Sequence, residues 1–182
     1  CLEEILYHWN ANDINVSIPF IISNHPQLEP IAKRYNIPFY YIAATSKDRK
    51  EDEILKIIKN NTDFLVMARY MQILSDDFLK QYNKAIINIH HSFLPSFKGA
   101  KPYHQAHERG VKIIGATAHY ANKDLDEGPI ITQKTMNVSH KDTIKTLIQK
   151  GKQLEKQTLV DAIALHSTYK VMLHKNKTII FD

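Results

Sequence analysis

The sequence has 182 residues, of which 43% are hydrophobic and 24% charged, and its formal net charge is +5. This composition is typical of one ordinary globular domain and excludes a disordered chain. The single cysteine, Cys1, excludes a disulfide within these residues and favours a reducing compartment. Because no apolar run approaches 18 residues and no leader is visible, we expect a cytoplasmic protein without a membrane partner.

The positive charge does not indicate a nucleic-acid partner. Lysine and arginine are spread along the chain, and the densest group, within residues 141–156, shares a predicted helix with Asp142, Glu155 and Asp161. A solvated helix face explains this pattern better than contact with nucleic acid. The sequence also lacks a Gly-x-Gly-x-x-Gly or Walker-type loop, which argues against a dinucleotide or nucleoside-triphosphate cofactor.

Apolar periodicity predicts alternating helices and strands in the first half of the chain. Helices are predicted at residues 1–12, 26–36, 48–60 and 75–82. Strands are predicted at residues 14–22, 37–42 and 64–68. Residues 85–89 form a nearly continuous apolar run, as expected of a strand buried on both faces. Because side chains alternate along a strand, Asn88 and His90 lie on one side of it.

The second half continues the alternation and ends in a long helix. Helices are predicted at residues 102–110 and 141–174, and Gly151 is interpreted as a bend or a point of close packing. Strands are predicted at residues 113–119, 129–138 (an edge strand) and 178–181, with a loop at 121–128. The pattern predicts one α/β domain over residues 1–182, a doubly wound, mainly parallel sheet with helices on both faces.

The order of the elements suggests that this domain lacks a strand. A doubly wound sheet normally begins with a strand, and that first strand is usually central. This sequence begins in a predicted helix instead. We therefore expect the first strand to be missing from this chain, and the chain to be part of a longer polypeptide.

Two polar segments follow predicted strands. Asn88 and His90 end the central strand, and residues 119–128 carry three acids, Asp124, Asp126 and Glu127. Alone, the first segment is compatible with residues that only cap a strand, and the second with a surface loop or a cation-binding loop. Together they suggest acyl chemistry, because metal-free amide hydrolysis needs oxyanion donors, a carboxylate or base for water, and a proton for the leaving nitrogen.

These segments resemble the formyltransferase family of folate enzymes. The motifs are Asn88-Ile89-His90, residues 92–99 (SFLPSFKG) and residues 125–131 (LDEGPII). Within the family the resemblance is closest to the formyltetrahydrofolate deformylases. Their mark is His91, where the transferases generally have another residue, together with residues 99–106 (GAKPYHQA) and 115–120 (GATAHY).

The resemblance implies hydrolysis of 10-formyltetrahydrofolate to tetrahydrofolate and formate, which supplies formate for purine and one-carbon metabolism. It assigns catalysis to Asn88, His90 and Asp126 and implies neither cofactor nor metal. It also implies a homo-oligomer and a regulatory ACT domain before this domain. The residues it assigns to substrate binding are Met71, Gln72, Ile73, Leu74, Phe78, Ile86, His91, His119, Ala121, Asn122, Lys123 and Leu125. Gln72 departs from the arginine of the transferases.

Several alternatives stay open at this point. The nearest is formyl transfer to an amine such as glycinamide ribonucleotide. Metal-dependent hydrolysis through histidines such as His104 and His107, and a folate- or nucleotide-binding module without catalysis, are the others. Consecutive strand residues face opposite ways, so His91 either helps to exclude an acceptor or hold water, or packs on the far face. The group that deprotonates the water is also open.

Overall fold

The structure is a computed structural model that describes residues 1–96 and 101–181. The predicted loop residues 97–99 lie outside this range. The helices are α1 Leu2–Asn10, α2 Glu29–Arg34, α3 Glu51–Ile58, α4 Asp76–Tyr82, α5 Pro102–Glu108 and α6 Ile144–Ser167. The strands are β1 Ile21–Ser23, β2 Phe39–Tyr41, β3 Phe64–Met67, β4 Ala85–His90, β5 Ile113–Tyr120, β6 Ile130–Asn137, β7 Val171–His174 and β8 Lys177–Ile180.

The central sheet has the strand order β3-β4-β5-β6. β3 pairs parallel to β4, whereas β5 pairs antiparallel to both β4 and β6. Three of the four strands therefore point the same way, and the α/β prediction of a mainly parallel sheet is confirmed, with β5 as a correction. β5 is antiparallel to β4 because the chain enters β5 at the same end of the sheet at which it leaves β4, without crossing to the opposite end.

β1 and β2 form a separate parallel pair, and β7 and β8 form an antiparallel hairpin. Ile22 of β1 nevertheless packs in the same apolar cluster as Leu65 and Met67 of β3. Within the described residues the predicted sheet is thus interrupted between β1 and β3. The expectation that a first strand is missing stays a prediction.

Two apolar clusters cover the two faces of the central sheet. One joins α1, α5 and α6 to β4, β5 and β6, and it contains Ile87 and Ile89. The other joins α3 and α4 to the sheet and contains Ile86. β4 therefore sends alternate side chains into both clusters, as its apolar run predicts, and the expectation of helices on both faces is confirmed.

Two predicted elements have different bounds. Of the predicted strand 14–22 only Ile21 and Ile22 are paired, in β1, and the pairing begins after Pro19, which cannot donate to a ladder. The long helix ends at Ser167, and Val171–His174 pairs with Lys177–Ile180 instead. In the described residues, no helix combines the length and apolarity needed to span a membrane.

Candidate active site

Asn88 and His90 lie on the same side of β4, as predicted, and His90 is buried. The Nδ1 atom of His90 lies 3.1 Å from Oδ2 of Asp126. The carboxylate accepts, so Nδ1 carries a hydrogen in this contact. The other ring nitrogen, Nε2, is buried and has no hydrogen-bond partner among the described residues. His90 thus presents one oriented, unpaired nitrogen.

Asp126 reaches His90 from a loop that folds back, not from a shared strand edge. Since β5 is antiparallel to β4, its last residue Tyr120 lies opposite Ile87. Asp126 thus follows a strand adjacent to β4, as expected, but that strand runs in the opposite direction, so the loop has to fold back to reach His90. The loop starts where Ala121 N–H donates to the Ile86 carbonyl at 2.8 Å.

The loop closes through a glycine and a left-handed residue. The Tyr120 N–H donates to the Pro129 carbonyl at 2.9 Å, so the two ends of the loop are adjacent. A Cβ on Gly128 would overlap the Tyr120 carbonyl, so this approach requires glycine. Asp126 has a φ of 57°, which aspartate tolerates better than most residues. The backbone thereby turns the Asp126 carboxylate onto the sheet.

His119 connects Asn88 to Asp126. Its Nδ1 lies 3.0 Å from the Tyr120 carbonyl and must donate to it, so Nε2 of the neutral ring is an acceptor. Nδ2 of Asn88 donates to that Nε2 at 3.2 Å, whereas Oδ1 of Asp126 is farther away, at 3.7 Å. This contact fixes which end of the Asn88 amide is the nitrogen. One of its two N–H groups remains to bind another acceptor.

The electrostatics of the site favour an ionised Asp126. Burial alone raises the pKa of its carboxyl, but the His119 imidazole in its protonated form and the Nδ1–H of His90 outweigh burial and hold the pKa well below its usual range. The carboxylate therefore stays charged across the range in which histidines titrate. Of the three acids in this segment, only Asp126 turns inward; Asp124 and Glu127 are exposed.

Thr117 holds the chain that leaves β4. It lies opposite His90 in the ladder. Its hydroxyl donates to the Ser92 carbonyl at 2.9 Å and accepts from the Leu94 N–H at 3.0 Å. Because the strand ends at His90, side-chain alternation also ends there. The ring centroids of His90 and His91 are only 5.1 Å apart. The prediction that the two rings face opposite ways is therefore wrong.

The segments assigned to folate leave apolar side chains in solvent. Met71, Ile73 and Leu125 are 71%, 56% and 57% exposed. The chain after Ile73 is anchored by Glu51, whose carboxylate accepts from the Ser75 N–H at 2.9 Å. Exposed apolar groups on an anchored segment are suited to contact a flat ring.

The other predicted folate residues differ in accessibility. Phe78 and Ile86 are buried in the cluster on the α3–α4 face, and Leu74 and Ala121 pack against it. Gln72 and Asn122 are half-buried, and Lys123 is exposed. The structure brings Ala121 next to Ile86, as the resemblance implies. The assignment of all these residues to substrate remains a prediction.

Sequence reasoning missed Arg69 and Glu155. Glu155 was interpreted as part of a solvated helix face, which is wrong because it is 2% exposed. Its Oε1 accepts from the Tyr103 hydroxyl at 2.8 Å, and its Oε2 lies 3.6 Å from Nε of Arg69. The available signal was Gly151, one turn earlier on the same helix, which was interpreted as a point of close packing.

Metal ligation has no support in the arrangement of the side chains that the structure describes. Within residues 1–96 and 101–181, no three His, Cys, Asp or Glu side chains lie where they could share an ion. His107 is exposed on α5, and His104 is half-buried.

The family model described as formyl transferase matches residues 1–163. The chain is 48% identical to the formyltetrahydrofolate deformylase of Synechocystis sp., with all of this chain and 64% of that protein covered. It is similar to the crystal structure of a formyltetrahydrofolate deformylase from Pseudomonas syringae, with 43% identity, a TM-score of 0.96, and 100% and 62% of the two chains covered.

A glycinamide ribonucleotide transformylase from Symbiobacterium toebii has the same fold, with 28% identity and a TM-score of 0.90 over 100% of this chain and 88% of that one. The chain spans about three fifths of the length of the first curated relatives it matches, at 64%, 58% and 62%.

Proposed function

Because the chain belongs to the formyl transferase family, we propose that it hydrolyses 10-formyltetrahydrofolate to tetrahydrofolate and formate. Relatives named formyltetrahydrofolate deformylase are 43–48% identical to it over 99–100% of its length. The glycinamide ribonucleotide transformylase is less similar, at 28% identity. These similarities favour water over an amine as the acceptor of the formyl group.

The observation that carries this proposal is the buried pair of His90 and Asp126. Nδ1 of His90 is held by Asp126 at 3.1 Å, and Nε2 has no partner among the described residues. A carboxylate that fixes one nitrogen of an imidazole directs the other toward a reactant and stabilises the imidazolium. Both oxygens of Asp126 face imidazoles. Nε2 of His90 is therefore the better group to take a proton from water.

The proposed reaction needs one proton transfer in each direction. Water attacks the formyl carbon and gives a proton to Nε2 of His90, while the carbonyl oxygen becomes an oxyanion. The second N–H of the Asn88 amide donates to that oxyanion. The imidazolium then returns its proton to N10 as the C–N10 bond breaks. Tetrahydrofolate and formic acid result, and formic acid loses its proton to solvent.

The folate segments supply binding in this scheme. The exposed Met71 and Ile73 on one side and Leu125 on the loop offer apolar contacts for the pterin. The loop that carries Leu125 also carries Asp126, so a folate held by that loop lies close to the catalytic carboxylate. Binding and chemistry are thereby coupled through one segment.

The direct test is incubation of the purified protein with 10-formyltetrahydrofolate alone. We expect formate and tetrahydrofolate in equal amounts without an acceptor, and no release above background from His90→Ala prepared in parallel. Dialysis against a chelator is expected to leave the rate unchanged, since the scheme uses no resident metal. If tetrahydrofolate forms only when glycinamide ribonucleotide is present, and that amine emerges formylated without release of formate, the protein is a transferase.

A further inference from the structure

A second group of polar side chains continues from His90 on the α6 side of the sheet. The His91 ring centroid lies 5.1 Å from that of His90 and 6.2 Å from that of Tyr103. The Tyr103 hydroxyl donates to the buried Glu155 at 2.8 Å, and Glu155 in turn faces Arg69. A line of contacts thus runs from the catalytic imidazole to the pair of buried Glu155 and half-exposed Arg69. We call His91 and Tyr103 the ring wall.

The ring wall is built into α6 through Gly151. A Cβ at Gly151 would overlap both the hydroxyl and the ring of Tyr103. Glycine inside a helix lowers its stability, so this position sacrifices helix propensity to admit the Tyr103 ring. The ring is then held at its tip by Glu155. Such an anchored, buried aromatic cannot swing away easily.

The ring wall and the folate segments lie on opposite faces of the sheet. Tyr103 belongs to the apolar cluster of α1, α5 and α6. Leu74 and Ala121, which are assigned to folate, pack against the cluster of α3 and α4. A folate that approaches from the α3–α4 side leaves the other side of the His90 ring for the second reactant. The His91 and Tyr103 rings follow one another from His90, at 5.1 Å and 6.2 Å between centroids.

We propose that the ring wall excludes nucleophiles larger than water from the formyl carbon, and that Arg69, Glu155 and Gly151 hold it in place. This inference rests on the proposed hydrolysis and names what determines its acceptor. His91 and Tyr103 are specificity-determining residues, and Glu155, Arg69 and Gly151 are positioning residues. None of the five makes or breaks a bond.

The formyl carbon can react with either of two nucleophiles, and the ring wall determines which of them reaches it. With water, the C–N10 bond breaks, a C–O bond forms, and tetrahydrofolate and formate leave. With a primary amine such as glycinamide, a C–N bond forms instead, the amine loses one proton, N10 gains one, and N-formylglycinamide leaves with tetrahydrofolate. Both reactions use the same oxyanion donors. The ratio of the two products therefore reports access and not catalytic power.

The experiment measures this product ratio with glycinamide as the probe. In the unaltered protein we expect formate almost alone. In His91→Ala and Gly151→Ala we expect the share of N-formylglycinamide relative to formate to rise about tenfold or more, the scale on which pocket shape discriminates. Gly151→Ala displaces Tyr103 without deleting any atom of the ring wall, and because its Cβ overlaps a buried ring, its fold is verified by denaturant unfolding before the ratio is measured. His107→Ala, exposed on the same helix as Tyr103, is the matched control.

An unchanged product ratio in both variants, with formate release intact, overturns the ring wall and leaves the proposed function standing. Absence of formate from the unaltered protein overturns the function instead. Access is then read without turnover, from the rate at which diethyl pyrocarbonate modifies His90, measured by mass spectrometry. The ring wall predicts faster modification in Gly151→Ala than in His107→Ala, and equal rates contradict it.

Discussion

Two buried carboxylates lie near His90, and their partners differ. Asp126 contacts the ring directly, whereas Glu155 is reached from it through His91 and Tyr103. The side chain of Asp126 is 8% exposed and lies between the rings of His90 and His119. The side chain of Glu155 is 3% exposed and lies between Arg69 and Tyr103. Histidine gains and loses a proton near neutral pH, whereas arginine keeps its charge.

The tyrosine beside Glu155 cannot exchange its proton at neutral pH either. Burial, the charge of Glu155 and the hydrogen bond to it raise the pKa of Tyr103 far above its usual range. Asp126 therefore lies between two imidazoles, which can exchange protons near neutral pH. Glu155 lies between a permanently charged arginine and a tyrosine that keeps its proton. The first carboxylate therefore serves chemistry and the second serves shape. Activity and stability, measured together on variants of each, separate these roles.

Asp126→Asn is expected to have the largest effect. Removing the charge weakens the stabilisation of the His90 imidazolium, so turnover should fall by about 10²–10⁴-fold while folate binding persists. Single-turnover formate release and folate titration measure the two quantities. Asp63→Asn, an exposed carboxylate before β3, is the control and should keep full activity. Near-normal turnover by Asp126→Asn would refute the role of this carboxylate.

Asn88→Ala should follow, because it removes the amide donor while leaving the pair of His90 and Asp126 intact. We expect a loss of about 10²–10³-fold in kcat with little change in KM, since the oxyanion exists only along the reaction path. Combining it with His90→Ala should cost less than the product of the two losses, because both residues serve one intermediate. A fully multiplicative double variant, or defects confined to KM, would show that they act separately.

Glu155→Gln should lower stability more than turnover, whereas Asp126→Asn should lower turnover most. Glutamine can still accept from the Tyr103 hydroxyl but cannot pair with Arg69, whose side chain is half exposed to solvent. We expect the free energy of unfolding to fall by about 1–2 kcal/mol, below the value for a fully buried pair, with a much smaller loss of kcat than in Asp126→Asn. Denaturant unfolding and formate release are the measurements.

Asp161→Asn is the matched control for Glu155→Gln. It lies on the same helix and removes an exposed ion pair with Lys134, at 2.7 Å. Exposed pairs contribute little, so the free energy of unfolding should change by about 0.5 kcal/mol or less. If Glu155→Gln lost turnover as severely as Asp126→Asn with no loss of stability, the assignment of shape to one carboxylate and chemistry to the other would be reversed.

The sequence predicted the elements of the fold and the family better than the path of the chain between them. Periodicity located α4 and β4 within a residue or two because their apolar faces are unambiguous. Strand direction is not encoded in periodicity, so the reversal of β5 was missed. The fold-back of Asp126 was missed with it, although Gly128 made the tight loop possible.

The candidate site was predicted through motifs and not through physics alone. Asn88, His90 and Asp126 come from a resemblance, and the contact of His90 with Asp126 agrees with it. Glu155 was missed because lysines surround it in sequence, and charge patterns show which residues share a helix but not which of them faces the core. Only the packing of Tyr103 into the space beside Gly151 reveals that Glu155 points inward.

The smallest expected effect concerns His91, the ring that lies between the two carboxylates. Burial lowers the pKa of His91 and the neighbouring His90 lowers it further, as does Arg69, while Glu155 and Asp126 oppose them. Its folded-state pKa therefore lies below the value of about 6.5 expected in the unfolded chain. The unfolded chain binds the proton more readily, so stability falls as pH drops below about 6.5 and levels off below the folded-state pKa.

His91→Asn should remove this contribution. The free energy of unfolding, measured by denaturant between pH 7.5 and 5, should then decline less steeply than in the unaltered protein. Burial also lowers the pKa of His166, so part of the slope remains and the difference between the two proteins is the quantity to compare. His107→Asn, an exposed histidine on α5, should leave the slope unchanged. If His91→Asn has the unaltered slope as well, the folded protein does not hold His91 neutral.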